Sequence, residues 1–190
     1  MQRTQGMQRV QNMLKDLYTG DRIKLTGPAE GDAAAFEQWG RDSEFMRLID
    51  TGIAHPSYAR LLQDETSPAD FEFRIRLLDS NKLIGFVGVH DIQWNNQTGV
   101  LGIGIGSPEH RSHGYGSEAL NLMLQFAFEE LNLHRVTLYS ISYNERALKT
   151  YEKAGFTEEG RLRQAIYRDG VRYDQVYMGI LRHEWESLNL

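Results

Sequence analysis

Residues 99–116 constrain the fold more than any other stretch, because they join a glycine-rich strand to the start of a long apolar helix. The stretch alternates from Val100 to Ile105, turns at Ser107-Pro108, and ends in Arg111-Ser-His-Gly-Tyr-Gly directly before the helix. The first N–H groups of a helix have no partner within it, and glycines let an anion approach them closely. The pattern therefore predicts an α/β protein with a phosphate-binding loop at this junction.

Two common phosphate-binding motifs do not fit this loop. The dinucleotide pattern G-x-G-x-x-G fails, because Ser107 or Glu109 stands where the third glycine is needed. A P-loop fails as well, since no Gly-Lys-Ser/Thr follows the glycines. What remains is R-x-x-G-x-G at Arg111, Gly114 and Gly116. A nucleotide enzyme with a P-loop is therefore a weak interpretation of this chain.

A second motif lies downstream, on a segment with the features of a helix. Residues 144–156 match the pattern N-x-x-A-x-x-x-Y-x-x-x-G-F through Asn144, Ala147, Tyr151 and Gly155-Phe156. The asparagine and the tyrosine are two helical turns apart, so both side chains face the same groove. From the residues alone, Asn144 is also a plain helix N-cap, and Tyr151 is also a core aromatic with a bonded hydroxyl.

Together the two motifs resemble the GNAT superfamily of acetyl-CoA-dependent N-acetyltransferases. The nearest resemblance is to the Rim-type branch, which includes acetyltransferases of ribosomal protein N-termini and of spermidine. The resemblance covers residues 25–185 and is clearest from Phe71 onward. It implies an α/β domain with a mixed, mostly antiparallel sheet of about seven strands flanked by helices. It also implies acetyl-CoA as cosubstrate and direct attack by a primary amine, which is a protein N-terminus, a polyamine or another small amine.

The resemblance further implies which residues bind acetyl-CoA and which act on it. The residues assigned to binding are Ile103, Ile105, Gly106, Arg111, Ser112, His113, Gly114, Tyr115, Gly116, Ser117, Asn144, Ala147 and Tyr151. Tyr151 is expected to protonate the departing thiolate. The backbone N–H of Ile105 or Gly106 is expected to polarise the thioester carbonyl.

The general base is the least determined part of the site. Many relatives place a glutamate at the start of the third strand, where this chain has Val100 and Leu101. Glu109 is the expected catalytic base, with His90 and Asp91 as further candidates. Because the strand glutamate is missing, a non-catalytic acyl-CoA-binding or regulatory module is the alternative function.

Composition narrows the remaining functional classes. The chain has 190 residues, which is enough for a single domain with a core, and its net charge of −5 disfavours nucleic acid as a partner. Cysteine is absent, which excludes disulfides and thiolate chemistry. His110 and His113 lack a third ligand, so no metal site is expected. The first twelve residues carry no apolar run, so we expect a cytoplasmic protein without a membrane partner, as a monomer or homodimer.

Periodicity and turn signals divide the chain into an N-terminal extension (1–20) and one acetyltransferase domain (21–186). The predicted strands are 21–26, 71–78, 83–94, 100–105, 135–142, 157–167 and 171–181, and the predicted helices are 32–39, capped by Asp32, 117–131 and 144–154. The buried helix between two strands predicts a parallel pair. The irregular segment 40–70 is either a substrate pocket or lid, or two helices that pack on the core.

Overall fold

The structure is a computed structural model that describes residues 18–49 and 70–188. Its strands are β1 (Ile23–Thr26), β2 (Phe71–Leu77), β3 (Leu83–Gln93), β4 (Thr98–Ile105), β5 (Arg135–Ile141), β6 (Thr157–Arg168) and β7 (Val171–Leu181). Its helices are α1 (Asp32–Gly40), α2 (Ser43–Ile49), α3 (Tyr115–Gln125), α4 (Glu145–Lys153) and α5 (Arg182–Leu188). Residues 1–17 and 50–69, which hold most of the predicted extension and of the irregular segment, lie outside the described residues.

The strands form one seven-stranded sheet in the order β1-β2-β3-β4-β5-β7-β6, which confirms the predicted fold class. All neighbours are antiparallel except β4 and β5, the parallel pair expected around the buried helix. Their pairing is short, because it joins only Thr98–Val100 to Arg135–Thr137. Beyond Val100, β4 stays with β3 and β5 stays with β7, so the sheet splits between them.

Each face of the sheet carries its own apolar cluster. Helix α3 covers one face, where Ile75, Val87 and Leu120 are fully buried. Helices α1 and α2 cover the other face, where Phe36 and Phe86 belong to a smaller aromatic cluster. Apolar and charged residues alternate along β2 because successive side chains of a strand point to opposite faces of the sheet.

The buried helix differs from its prediction at both ends. It begins at Tyr115 rather than Ser117, because Gly114 occupies the N-cap position with a φ of +83° that favours glycine. Its last turn, Phe126–Glu130, is π-helical, and the N–H of Leu131 donates to the carbonyl of Phe126 at 3.1 Å. This wider turn is a deviation that helical periodicity does not signal.

The predicted cap of α1 is wrong. The N-cap position is held by Gly31, and Asp32 is the first residue of the helix. The carboxylate of Asp32 accepts a hydrogen bond of 2.5 Å from Nη2 of Arg76, a buried arginine on β2. The aspartate therefore attaches α1 to the sheet, because a buried guanidinium requires a charged partner.

The end of the chain follows its predicted pattern. Helix α4 has Asn144 at its N-cap, whose side chain accepts from the N–H of Ala147, and Gly155 follows the helix with a φ of +98°. The hairpin of β6 and β7 turns at Asp169 and Gly170, both with positive φ. Among the described residues, no helix is long and apolar enough to cross a membrane.

Candidate active site

A cavity of about 380 Å³ lies beside β4, on the side from which β5 has diverged. Its walls come from β4, the loop after β4, the start of α3, the first two turns of α4 and the end of α2. The cavity-lining residues that the sequence had predicted to bind acetyl-CoA are Ile103, Ile105, Arg111, Ser112, Gly114, Gly116, Ser117, Asn144, Ala147 and Tyr151. The two motifs, far apart in sequence, therefore line one cavity.

Three of the predicted binding residues do not line this cavity. The N–H of Gly106 donates to the carbonyl of Ile84 at 2.9 Å, so it is held within the sheet. This bond removes Gly106 as a donor to a thioester carbonyl. The rings of His113 and Tyr115 stack on each other with centroids 6.0 Å apart, outside the cavity lining.

The backbone of β4 offers hydrogen-bonding groups to the split. Residues of an antiparallel strand point their N–H and C=O groups alternately toward one neighbour and the other. Gly106 bonds to β3, so the backbone N–H and C=O groups of Ile103 and Ile105 point away from β3. They point to the side from which β5 has diverged. An added strand would pair with this edge through these groups, and of the two predicted donors only the N–H of Ile105 points into the split.

Arg111, the arginine of the loop motif, lines the cavity, but its guanidinium is bound inside the protein. Its side chain is only 6% exposed, and Nη2 donates to the carbonyl of Gly106 at 2.6 Å and to Asp42 at 3.2 Å. Nε donates to the carbonyl of Ile105 at 3.3 Å. The guanidinium therefore holds the loop in its conformation from the protein side. Its charge is engaged by these partners and does not extend into the cavity.

The start of α3 is the part of the cavity suited to an anion. Gly114, Gly116 and Ser117 line it, and the first N–H groups of the helix point out of its N-terminus. Behind the loop, Nη1 of Arg22 donates to the carbonyl of His113 at 2.7 Å, and its Nε pairs with Glu118 at 3.0 Å. A phosphate group bound here meets a loop that is already fixed.

Helix α4 supplies the polar side chains of the opposite wall. Asn144 is buried, and both ends of its amide are engaged: Oδ1 caps the helix, and Nδ2 donates to the carbonyl of Leu48 at 3.3 Å. Tyr151 packs edge-on against Phe156, with ring centroids 6.1 Å apart. Burial raises the pKa of Tyr151 to about 12. The phenol therefore keeps its proton at neutral pH and presents an O–H donor.

The structure does not bring Glu109 to the cavity. Its carboxylate is 59% exposed and lies 3.7 Å from Nζ of Lys82, and its own backbone hydrogen bond lowers its pKa. Its neighbour His110 lines the cavity instead, and burial lowers the pKa of that imidazole, with Lys82 adding to the effect. Asp91 is exposed, and its N–H donates to the carboxylate of Asp70. These positions do not support Glu109 in the role of base.

Several cavity residues had not been predicted. Arg146 and Thr150 lie on the same face of α4 as the motif residues, so the spacing of that motif held a signal for them. Nη1 of Arg146 donates to Oγ of Ser112 at 3.4 Å, which places a cation beside the loop. The α2 residues Phe45, Leu48 and Ile49 come from the irregular segment, where no local pattern points to a cavity. No group of three metal-ligating side chains occurs among the described residues.

A sheet that splits beside a glycine loop, with a protonated tyrosine facing the split, defines a transferase that holds an extended acyl carrier. The chain belongs to the GNAT acetyltransferase domain family, which matches residues 22–157. It is an acetyl-CoA-dependent N-acetyltransferase, so the expectation of an enzyme is confirmed over the non-catalytic module.

Individual relatives agree with this assignment. The putative ribosomal N-acetyltransferase YdaF of Bacillus subtilis is 34% identical over 111 residues, which are 58% of this chain and 60% of that protein. The spermidine N(1)-acetyltransferase of Vibrio cholerae is 33% identical over 115 residues, 60% of this chain and 66% of that protein. The crystal structure of a Vibrio cholerae spermidine N-acetyltransferase with CoA and spermine has the same fold. Its TM-score is 0.74 at 24% identity, over 86% of this chain and 98% of that one.

Proposed function

We propose that this enzyme acetylates a primary amine by direct attack of the amine on acetyl-CoA in a ternary complex. The amine belongs to a polyamine, a protein N-terminus or another small amine. The observation that carries the proposal is the placement of Tyr151 and the free edge of β4 on two walls of one cavity. The names of relatives support the amine class, since one is a putative ribosomal N-acetyltransferase and others act on spermidine.

The residues present fit the phosphates and the pantetheine arm of acetyl-CoA. The N-terminus of α3 and the nearby Arg146 suit the phosphates, and the edge of Ile103 and Ile105 suits the amides of the pantetheine arm. Acetyl-CoA supplies an activated acyl group, so the protein needs no covalent intermediate of its own. Its tasks are to position the two substrates, accept a proton from the amine and stabilise the developing negative charges.

Tyr151 is the proposed acid at the departing sulfur. Because burial holds its pKa at about 12, the acid form is present throughout the pH range in which amines are acetylated. The N–H of Ile105 is proposed to hold the carbonyl oxygen as negative charge develops on it. One preorganised donor of this kind is worth about 10² to 10³ in kcat.

The experiment is a thiol-release assay with purified protein and acetyl-CoA. The acceptor panel comprises spermidine, spermine, peptides with a free N-terminus, aminoglycosides and amino acids, and a reaction without amine measures background hydrolysis. We expect release above background with at least one polyamine or peptide, and none with amides of the same amines. Binding of acetyl-CoA without amine-dependent release on any acceptor would refute the proposal.

A further inference from the structure

We propose that His110 is a further binding residue for acetyl-CoA, and that its imidazole takes up a proton when the phosphate groups of acetyl-CoA bind. The inference rests on the placement of the phosphates that is proposed above, but it does not depend on which amine is acetylated. It concerns the affinity for the cosubstrate, so it is tested by binding measurements without turnover.

His110 lies at the end of the cavity that is suited to phosphate. It is the last residue of the short 3₁₀ turn Pro108–His110, and it lines the cavity. Its ring centroid is 6.5 Å from that of Tyr115, the first residue of α3. Gly114, at the N-cap of α3, lines the same cavity. The imidazole is therefore placed beside the helix N-terminus, where an anion is favoured.

The two ring nitrogens of His110 have different surroundings. The side chain is only 11% exposed, and Oε1 of Glu109 lies 3.6 Å from Nδ1, just beyond hydrogen-bonding distance. Nδ1 is buried, and among the described residues it has no hydrogen-bond partner. Because Nδ1 is covered on this side, Nε2 is the nitrogen that remains for a ligand in the cavity.

A proton on the imidazole gives each ring nitrogen a partner. A neutral ring has one N–H donor, whereas an imidazolium has two. With a phosphate bound, Nε2–H has an anionic acceptor in the cavity, and Nδ1–H faces the carboxylate of Glu109. Hydrogen bonds between charged groups are about twice as strong as those between neutral groups, and a buried polar atom without a partner costs free energy. The cavity with its ligand therefore favours the charged ring.

In the free protein the surroundings favour the neutral ring. The titratable groups that face the imidazole are Lys82, Glu109, His113 and Tyr115. Burial lowers the pKa of His110, and the positive charge of Lys82 lowers it further, whereas Glu109 opposes the effect. The influence of Glu109 is divided, because its Oε1 also lies 3.7 Å from Nζ of Lys82. Before the ligand binds, the imidazole is therefore uncharged at neutral pH.

Binding changes this balance, since the phosphate groups bring negative charge to the cavity and raise the pKa of the imidazole. The bound state then holds a proton that the free state lacks. The affinity for acetyl-CoA therefore increases as the pH falls from about 8 to about 6. The increase ends below the pKa that His110 has in the free protein, because the ring is then protonated in both states.

The test is a calorimetric titration with CoA, which carries the same phosphates as acetyl-CoA, near neutral pH. The titration is repeated in PIPES and in Tris, two buffers with different ionisation enthalpies, so that the difference in observed enthalpy measures the protons taken up on binding. Wild type is compared with His110→Gln, whose amide donates hydrogen bonds but does not titrate. His183→Gln, at an exposed position on α5, is the matched control.

Wild type and His183→Gln are expected to take up at least about 0.3 proton more per CoA than His110→Gln. Any proton exchange of CoA itself is common to the three proteins and cancels in this comparison. Between about pH 8 and about pH 6, the Kd of wild type is expected to fall by about fivefold to tenfold relative to that of His110→Gln. Equal proton uptake in wild type and His110→Gln overturns the assignment.

A measurement on wild type alone keeps the proposal testable if His110→Gln does not fold. Of the six histidine rings in the chain, at least one is expected to change from the neutral to the charged pattern of nitrogen chemical shifts when CoA is added at constant pH. Histidine spectra that CoA leaves unchanged overturn the assignment. An enzyme that acetylates an amine without this proton uptake keeps the proposed function and loses the role of His110. Proton uptake on binding without transfer to any amine has the opposite meaning.

Discussion

The guanidinium of Arg111 donates a hydrogen bond of 2.6 Å to the carbonyl oxygen of Gly106, across the turn that connects β4 to α3. The same group is paired with Asp42, whose other carboxylate oxygen accepts from the N–H groups of Glu44 and Phe45 at the start of α2. One buried side chain thus joins the glycine loop after β4 to the helix that forms the far wall of the cavity.

Replacing Arg111 by methionine is expected to destabilise the protein by about 3 kcal/mol, because the loop carbonyls and Asp42 lose a buried charged partner. The free energy of unfolding from urea titration measures this effect. Arg41→Met removes an exposed pair with Glu37 and serves as the matched control, with a change under about 0.5 kcal/mol. Equal stability of the two variants would show that Arg111 does not hold the loop.

Tyr151→Phe keeps the ring that packs on Phe156 and removes only the hydroxyl. We expect kcat to fall by about 100-fold, while the affinity for acetyl-CoA stays within about twofold, because the lost donor acts on the departing sulfur. Steady-state kinetics with the best acceptor measure both quantities. Tyr167→Phe, at an exposed position on β6, is the control and is expected to behave as wild type. Unchanged turnover in Tyr151→Phe would end its assignment as the acid.

The pKa of Tyr151 also predicts how stability depends on alkaline pH. Burial raises this pKa from about 10 to about 12, so between these values the folded state holds a proton that the unfolded state has lost. The stability that this proton gives is complete below pH 10 and disappears as the pH rises through 12. Unfolding free energies of wild type and Tyr151→Phe, measured from pH 9 to 12, isolate the effect, because the other tyrosines are common to both. A constant difference over that range would contradict the desolvated position of the hydroxyl.

Asn144 connects two walls of the cavity, and its two roles are separable. Asn144→Ala is expected to lose about 1 kcal/mol, because the N–H of Ala147 loses its cap, whereas serine caps about as well as asparagine. Both variants lose the Nδ2 bond to the carbonyl of Leu48, so both are expected to bind acetyl-CoA more weakly. Thermal unfolding and calorimetric titration together measure the two effects. If Asn144→Ser binds acetyl-CoA as tightly as wild type, the link to α2 does not shape the cavity.

The sequence predicted those features that depend only on residues close together along the chain. The strands predicted at 71–78 and 171–181 and the cap at Asn144 came from local patterns, and the structure has them at Phe71–Leu77, Val171–Leu181 and Asn144. The two family motifs also predicted contacts between residues far apart in the chain, because members of a family share a tertiary structure. They placed Ile103, Ile105 and Tyr151 in one site without any contact being visible in the sequence.

The remaining features depend on contacts between distant residues. No local pattern shows that Arg111 faces Asp42, or that Glu109 faces Lys82 and leaves the cavity to His110. Gly106 could not be excluded as a donor until the register of β3 and β4 assigned its N–H to Ile84. Glu109, His90 and Asp91 were the candidate bases in the sequence, and none of the three lines the cavity.

Initial-velocity kinetics with acetyl-CoA and the best acceptor amine test the central claim most directly. Direct attack in a ternary complex predicts double-reciprocal lines that intersect when both substrates are varied, and protein that carries no acetyl group after incubation with acetyl-CoA alone. Parallel lines, together with an acetylated form of the protein in intact mass spectra, would contradict direct transfer between the two substrates in this cavity.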